Sequence, residues 1–230
     1  SGRLLRRWCD GEARYPAYLC DYAQMTMACL DLYETTYDPV WFRKGCELSN
    51  EIKRLFRNEN GPFYDTGIDG EVLLTRNAEG YDGVEPSGNS SVANVFLRLN
   101  SYGLESEFFE DAQRVFRCFS PMFNQAGVSF CSMLSGLHFS LLRPKEVVIS
   151  GRRGDAETEA LLSEVRREFY PNMVTAFLED GDNKLTEEII PLASGRPMLN
   201  GRATAYVCQN QACRLPVHKV EELRELLDSS

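Results

Sequence analysis

The stretch Gly80-Tyr-Asp-Gly-Val-Glu-Pro-Ser-Gly-Asn-Ser-Ser91 sets two carboxylates, Asp82 and Glu85, in a turn punctuated by Gly and Pro. It then runs straight into a segment that carries no charge from Pro86 to Leu97. A helix with one wet face displays charge along that face, so an uncharged helix is expected to be covered on all sides. The two acids therefore stand where a loop dives into the interior, which is how a pocket floor is commonly built.

Outward from this turn, residues 15 to 143 read as helix after helix. Leu19, Tyr22, Ala23, Thr26, Cys29, Leu30 and Tyr33 keep the spacing of a helix face, and so do Trp41, Gly45, Leu48, Ile52 and Leu55. Val92, Val95, Phe96, Leu99 and Tyr102 form a third face, and Phe108, Phe109, Ala112, Val115, Phe116 and Phe119 a fourth. The fourth has Glu105, Glu107 and Glu110 at its start and Arg114 and Arg117 later, as the helix dipole favours. A fifth helix is expected from about Val128 to Leu142.

Charge alternates along this series. The first helix is uncharged from Tyr22 to Leu30 and the fifth from Val128 to Leu142, like the third. The second carries Arg43, Lys44, Glu47, Glu51, Lys53 and Arg54, and the fourth is similarly charged. Odd helices are expected inside and even helices outside, the pattern of stacked hairpins in an α/α toroid or solenoid. No tight repeat is present, which favours a partial toroid. Between the second and third helices, Gly61 to Gly67 and Glu71 to Arg76 read as a short hairpin or loop excursion.

The remaining sequence changes pattern. Glu146–Ser150, Met173–Leu178 and Ala203–Cys208 read as strands, Asp155–Phe169 and Val220–Leu227 as helices, and Asp180–Asn200 as a linker with one helical turn near Glu187. Strand–helix–strand spacing implies parallel pairing. The expected fold is mainly α: helical hairpins of a partial toroid over 1–144, then a small α/β subdomain with parallel strands over 145–230.

A net charge of −9 argues against nonspecific nucleic-acid binding and against docking on anionic membrane. The uncharged 15-residue stretch Val128–Leu142 is too short and too rich in Ser to span a bilayer. No basic segment followed by an apolar one opens the sequence, and Ser1-Gly2 reads as a cloning scar. Eight cysteines without a C-x-x-C pair, and only His138 and His218, disfavour a zinc site. The thiols are expected to be reduced and buried, and the compartment cytoplasmic. No cofactor or metal is expected.

Five ordered segments carry a resemblance: Asp21-Tyr-Ala23, Asp82-Gly-Val-Glu-Pro-Ser-Gly-Asn-Ser90, Val147-Val-Ile-Ser-Gly151, Tyr170-Pro-Asn172, and Ala205-Tyr-Val-Cys-Gln-Asn-Gln-Ala-Cys213 with Pro216-Val217. Together they resemble the C-terminal half of the YyaL-like, spermatogenesis-associated, thioredoxin-fused proteins. That family is similar to six-hairpin toroid enzymes such as N-acylglucosamine 2-epimerases and glycoside hydrolases. The resemblance implies the last two and a half hairpins of a toroid plus an α/β tail. It also implies a thioredoxin-like domain as partner, and self-association or association with further hairpins to cover exposed inner-helix surface.

Two carboxylates flanking a sugar can act as acid and base, or as acid and nucleophile. Glu85 and Asp82 are the first candidates, with Asp21, at the start of another inner helix, as the third. The competing reading makes Asp21 and Asp82 helix caps. Glu85, held extended before Pro86, is expected to point away from the helix. Tyr22, Tyr64, Arg76, Tyr81, Ser87 and Asn89 are candidates to bind substrate. His138 reads as a core histidine. Cys208 and Cys213 form the best redox pair, although two packed thiols are the preferred reading, and Gly151–Gly154 reads as an ordinary strand–helix turn. Hydrolysis or isomerisation of a carbohydrate by general acid/base chemistry is the leading expectation. A noncatalytic binding or scaffold module is the alternative.

Overall fold

A computed structural model describes residues 2–72, 74–181, 183–209 and 212–229. Chain packing defines two units: Ser1–Tyr33 with Val40–Asn100 and Glu105–His138, and Glu34–Pro39 with Ser101–Leu104 and Phe139–Ser230.

The first unit opens with an antiparallel hairpin, β1 (Leu5–Cys9) and β2 (Glu12–Pro16), whose ten residues are all exposed. Helices α1 (Leu19–Thr36), α2 (Pro39–Phe56), α3 (Gly88–Ser101), α4 (Ser106–Ala126) and α5 (Cys131–Leu142) follow, with a 3-10 turn at Gly127–Phe130 before α5. The whole expected face of α1, Leu19 through Tyr33, is buried. Tyr22 meets Phe56 edge-on at 5.5 Å, and Phe96 joins Phe63 at 5.7 Å and Phe108 at 4.8 Å. Such aromatic contacts add about 0.5–1.5 kcal/mol each beyond area burial.

Polar contacts tie the helices in two sets. Gln24 of α1 donates to Ser91 of α3, and Asn94 of α3 donates to the Ser132 carbonyl of α5. On the charged helices, Lys53 and Arg57 at the end of α2 pair with Glu107 and Asp111 of α4.

The expectation of fully covered odd helices holds for α3, which has no exposed residue. Within the uncharged stretches it fails for α1, which exposes Met25 and Ala28 and, beyond them, Asp31, Leu32, Thr35 and Thr36, and for α5, which exposes Cys131, Ser135, His138, Leu141 and Leu142. Absence of charge removes the usual solvating side chains but supplies no neighbour, so small and apolar residues line these edges. His138 is thus a surface residue rather than a core histidine, and Trp41 of α2 is also exposed. Residues 71–76 form no strand among those described, with Leu73 outside the described set. The excursion is a loop, pinned where Arg76 stacks at 4.1 Å on Tyr64 and donates to the Leu55 and Thr66 carbonyls.

The second unit is built on a four-stranded sheet of β3 (Lys145–Gly151), β4 (Met173–Glu179), β5 (Thr204–Gln209) and β6 (Ala212–Cys213), in the order β4-β3-β5-β6. Only β3 and β4 are parallel, joined through α6 (Ala156–Val165); β5 runs antiparallel to β3, and β6 to β5. The expectation of a parallel subdomain is corrected to a mixed sheet. The long connection through α7 (Lys184–Ile189) brings β5 in on the far side of β3 in the opposite direction. Helix α6 stops at Val165, so Phe169, expected on its buried side, is 90% exposed. Asp182 of the linker, and Asn210 and Gln211 between the paired cysteines, lie outside the described residues.

Two devices hold α8 (Val220–Asp228), one on the sheet and one on α6. Lys145 Nζ donates to the Leu226, Leu227 and Ser229 carbonyls, giving a positive cap to the helix C-terminus. Glu164 of α6 accepts a two-pronged contact from Arg224, at 2.9 and 2.7 Å, and a third hydrogen bond from Arg167 at 2.7 Å. These contacts hold the Glu164 carboxyl down at about 2.

Among the described residues, no helix is long and apolar enough to cross a membrane.

Candidate functional site

The helix starts of α1 and α3 meet closely. A Cβ at Gly88 would lie 3.0 Å from the Leu19 side chain and 3.1 Å from the Cys20 amide nitrogen, so only glycine permits this approach without displacement. Where they meet, a cleft of about 440 Å³ opens. Tyr18 just before α1 and Cys20 within it line the cleft, with Asp65 and Glu79 from the loop excursion and Tyr81, Glu85 and Ser87 from the turn entering α3.

The candidate acids divide sharply. Asp82 accepts the Ser87 amide at 2.9 Å through one oxygen, and the Ser132 and Met133 amides at 2.8 and 3.2 Å through the other. It satisfies free N–H groups at the starts of both α3 and α5, where a negative charge also meets the favourable end of two helix dipoles. Asp21 reaches back to accept the Tyr18 amide at 2.8 Å, as the third residue of a capping box does, and lies 3.8 Å from Arg6. Neither Asp21 nor Asp82 lines the cleft. Glu85 is exposed at its rim, and among the described residues its carboxylate has no hydrogen-bond or ion-pair partner.

Other candidates divide the same way. Tyr81 lines the cleft and is 57% exposed. Ser87 lines it but also caps α3, accepting the Ser90 amide at 3.1 Å. Asn89 is buried and clamps the loop: it accepts the Phe63 amide at 2.8 Å and donates to the Phe63 and Glu79 carbonyls at 2.9 Å. Tyr22 is buried, accepts the Leu4 amide at 2.9 Å and carries Arg3 over its ring at 5.2 Å. Tyr22, Tyr64, Arg76 and Asn89 therefore shape the walls' supports and do not reach the cleft.

Sequence reasoning missed Asp65, Glu79, Tyr18 and Cys20. Burial pushes the Asp65 carboxyl up, against two hydrogen bonds from the Glu79 amide at 3.3 and 3.2 Å, with the Glu79 charge adding to the rise. Cys20 is likewise pushed up, by burial first and then by Asp21, with Glu85 a smaller contributor. Tyr18 carries the Arg6 guanidinium over its ring at 4.7 Å. A signal for Tyr18 was its place three residues before Asp21. Asp65 offered none, because its distance along the chain from Glu85 hides their convergence.

In the second unit, Cys208 and Cys213 are a disulfide across the β5–β6 pair, not two packed thiols. Opposed positions on adjacent antiparallel strands bring the sulfurs together, with the two Cα atoms 4.0 Å apart. Cys9, Cys20, Cys29, Cys46, Cys118 and Cys131 are free thiols. Among the described residues, no group of three or more His, Cys, Asp or Glu is placed to hold a metal ion.

No family model matches the chain. It is homologous to a portion of spermatogenesis-associated protein 20. It is 32% identical to the Homo sapiens protein over 238 residues, covering 99% of this chain, and 32% identical to the Mus musculus protein over 241 residues, also covering 99% of this chain. It is 30% identical over 226 residues, or 95% of this chain, to uncharacterized protein B0495.5 of Caenorhabditis elegans. The chain spans 30% of the length of each of these relatives.

Proposed function

We propose that the chain is a carbohydrate-binding module of a larger protein, with the cleft at the α1 and α3 starts as its site. One observation carries the reading. Asp21 and Asp82 turn away as amide acceptors, while Glu85 has no partner among the described residues in a cleft that also holds two tyrosines. Aromatic rings stack on sugar C–H faces, and a free carboxylate accepts from sugar hydroxyls. With its two suspected partners engaged in capping, Glu85 serves recognition.

The chemical alternative keeps a specific support. Asp65 lines the same cleft with a carboxyl pushed up by burial, the direction of shift that a general acid needs. In that reading Asp65 is the acid, Glu85 the base or nucleophile, and the reaction is glycoside hydrolysis or sugar isomerisation.

Titration calorimetry against a panel of neutral mono- and disaccharides tests both. Binding in the millimolar range or tighter, weakened roughly tenfold by Glu85→Gln and by Tyr81→Ala, is the expected result. Absence of heat with every sugar overturns the binding reading. Product formation by wild type that is lost in both Glu85→Gln and Asp65→Asn would replace it with the catalytic one.

The wider arrangement we propose follows the resemblance: 1–144 as the last hairpins of a YyaL-like toroid, 145–230 as its α/β tail, in the cytoplasm. The apolar edge of α1 at Met25 and Leu32, 47% and 39% exposed, is then the seat of further hairpins, a thioredoxin-like domain or a second copy. A single monomeric species by light scattering would remove the second copy from that set.

A further inference from the structure

We propose that the Cys208–Cys213 disulfide is a redox site that exchanges with a dithiol, rather than a structural brace. Three observations support this. The two sulfurs differ in access: Cys208 is 2% exposed, whereas Cys213 is exposed at the end of the sheet. A cleft of about 250 Å³ opens alongside, lined by both cysteines, Lys145 and Arg214. Arg196 Nη2 lies 3.5 Å from Cys208 Sγ and 3.7 Å from Cys213 Sγ, and the same guanidinium is anchored through its other terminal nitrogen on the Leu192 carbonyl. A cation fixed against a disulfide does little for the neutral S–S bond. It stabilises the thiolate that forms when that bond breaks.

The geometry sets the direction of attack. A thiolate of the incoming dithiol attacks the exposed Cys213 Sγ. A new S–S bond forms to Cys213, the Cys208–Cys213 bond breaks, and its electron pair leaves on Cys208 Sγ beside Arg196. The second thiolate of the dithiol then attacks the dithiol's first sulfur in the mixed disulfide, and Cys213 leaves as a thiolate. One dithiol is oxidised to a disulfide, this disulfide is reduced to two thiols, and two electrons and two protons have moved. A lower-pKa leaving thiol departs faster, which is the role given to Arg196 as a positioning residue.

The probe is dithiothreitol with the whole chain. Reduced and oxidised dithiothreitol are mixed at set ratios, the reaction is quenched with acid, and the cysteines are tagged by alkylation and located by peptide mass. Reversible reduction of Cys208 and Cys213 with an unchanged circular dichroism spectrum is expected. If the bond resists excess dithiothreitol until denaturant unfolds the chain, it is structural and the proposal fails. In Cys208→Ser, an aromatic disulfide reagent should trap Cys213 as a stable mixed disulfide roughly tenfold faster than it modifies the exposed Cys9 and Cys131. Equal rates at the three thiols overturn the assignment of Cys213 as the entry sulfur. Arg196→Gln should slow reduction of the wild-type pair roughly tenfold, with Arg196→Lys restoring most of the rate. An unchanged rate in Arg196→Gln overturns the role given to Arg196.

Discussion

Asp111 in the first unit and Glu164 in the second are both almost fully buried acids beside two arginines, yet their acidities move in opposite directions. The Asp111 side chain is 0% exposed, with Arg57 at 3.3 Å and Arg114 at 2.6 Å from the same oxygen, and burial nevertheless pushes its carboxyl up. Glu164 is 3% exposed, and its hydrogen bonds to Arg224 and Arg167 hold it at about 2. Depth of burial and completeness of pairing separate them. Both Glu164 oxygens are engaged, one by each prong of Arg224. Asp111 Oδ2 is buried without a partner among the described residues, and Arg57 is shared with Glu107. Two nearby positive charges do not compensate for a lone pair removed from water and left empty. The acids at the α1 and α3 starts follow the same rule. Asp82 accepts three amides, whereas the Glu85 carboxylate has no partner among the described residues.

The strongest way to break this contrast is Asp82→Ala. Three backbone amides at two helix starts lose their acceptor, and at about 1 kcal/mol each a loss of about 3 kcal/mol in urea unfolding is expected. A loss under about 1 kcal/mol would mean that Asp82 is not holding α3 and α5 and would return it to the candidates for chemistry. Glu85→Gln should change stability by no more than about 0.5 kcal/mol, since it removes no contact.

Glu164→Gln comes next, at about 2 kcal/mol near pH 7, because the charged hydrogen bonds between α6 and α8 are lost while Arg167 and Arg224 stay partly hydrated. The sign of its pH dependence follows from the lowered carboxyl. Its stabilisation is present above the usual value of 4.5 and is lost as pH falls from there to about 2. Wild type and Glu164→Gln should therefore converge in acid unfolding series. A gap that stays constant down to pH 2 would show that packing, not ionisation, holds the two helices. Asp21→Asn ranks below it, with a loss of about 1 kcal/mol from the weakened α1 cap.

These contrasts were only partly readable in the sequence. The α1 face was fully legible because a 3.6-residue period needs only local information, and every residue of it from Leu19 to Tyr33 is buried. Hairpin β1–β2 was not, since all its residues are exposed and no alternation marks it. The antiparallel entry of β5 depends on a distant choice of neighbour, β3 rather than β4. Asp82 and Glu85 look equivalent in the string; what separates them is the Ser132 and Met133 amides, supplied by a helix that begins far along the chain. The disulfide was open on spacing alone, and only the β5–β6 register decides it.

The smallest expected effect is the sharpest test of the contrast between Asp111 and Glu164. Asp111→Asn keeps the shape of the side chain and removes a charge that burial disfavours. Because the folded carboxyl is raised above its usual 3.8, wild-type stability from this group is fully present below that value and is lost as pH rises through the raised one. Asparagine does not titrate, so at pH 7 the variant should equal or exceed wild type by about 0.5 kcal/mol or less, and the advantage should vanish in acid. Glu164→Gln behaves in the reverse sense, losing its deficit in acid rather than its gain. If Asp111→Asn instead costs about 2 kcal/mol at pH 7 and recovers at low pH, then Arg57 and Arg114 do stabilise the ionised acid. In that event the number of neighbouring charges, and not the satisfaction of each oxygen, governs both sites.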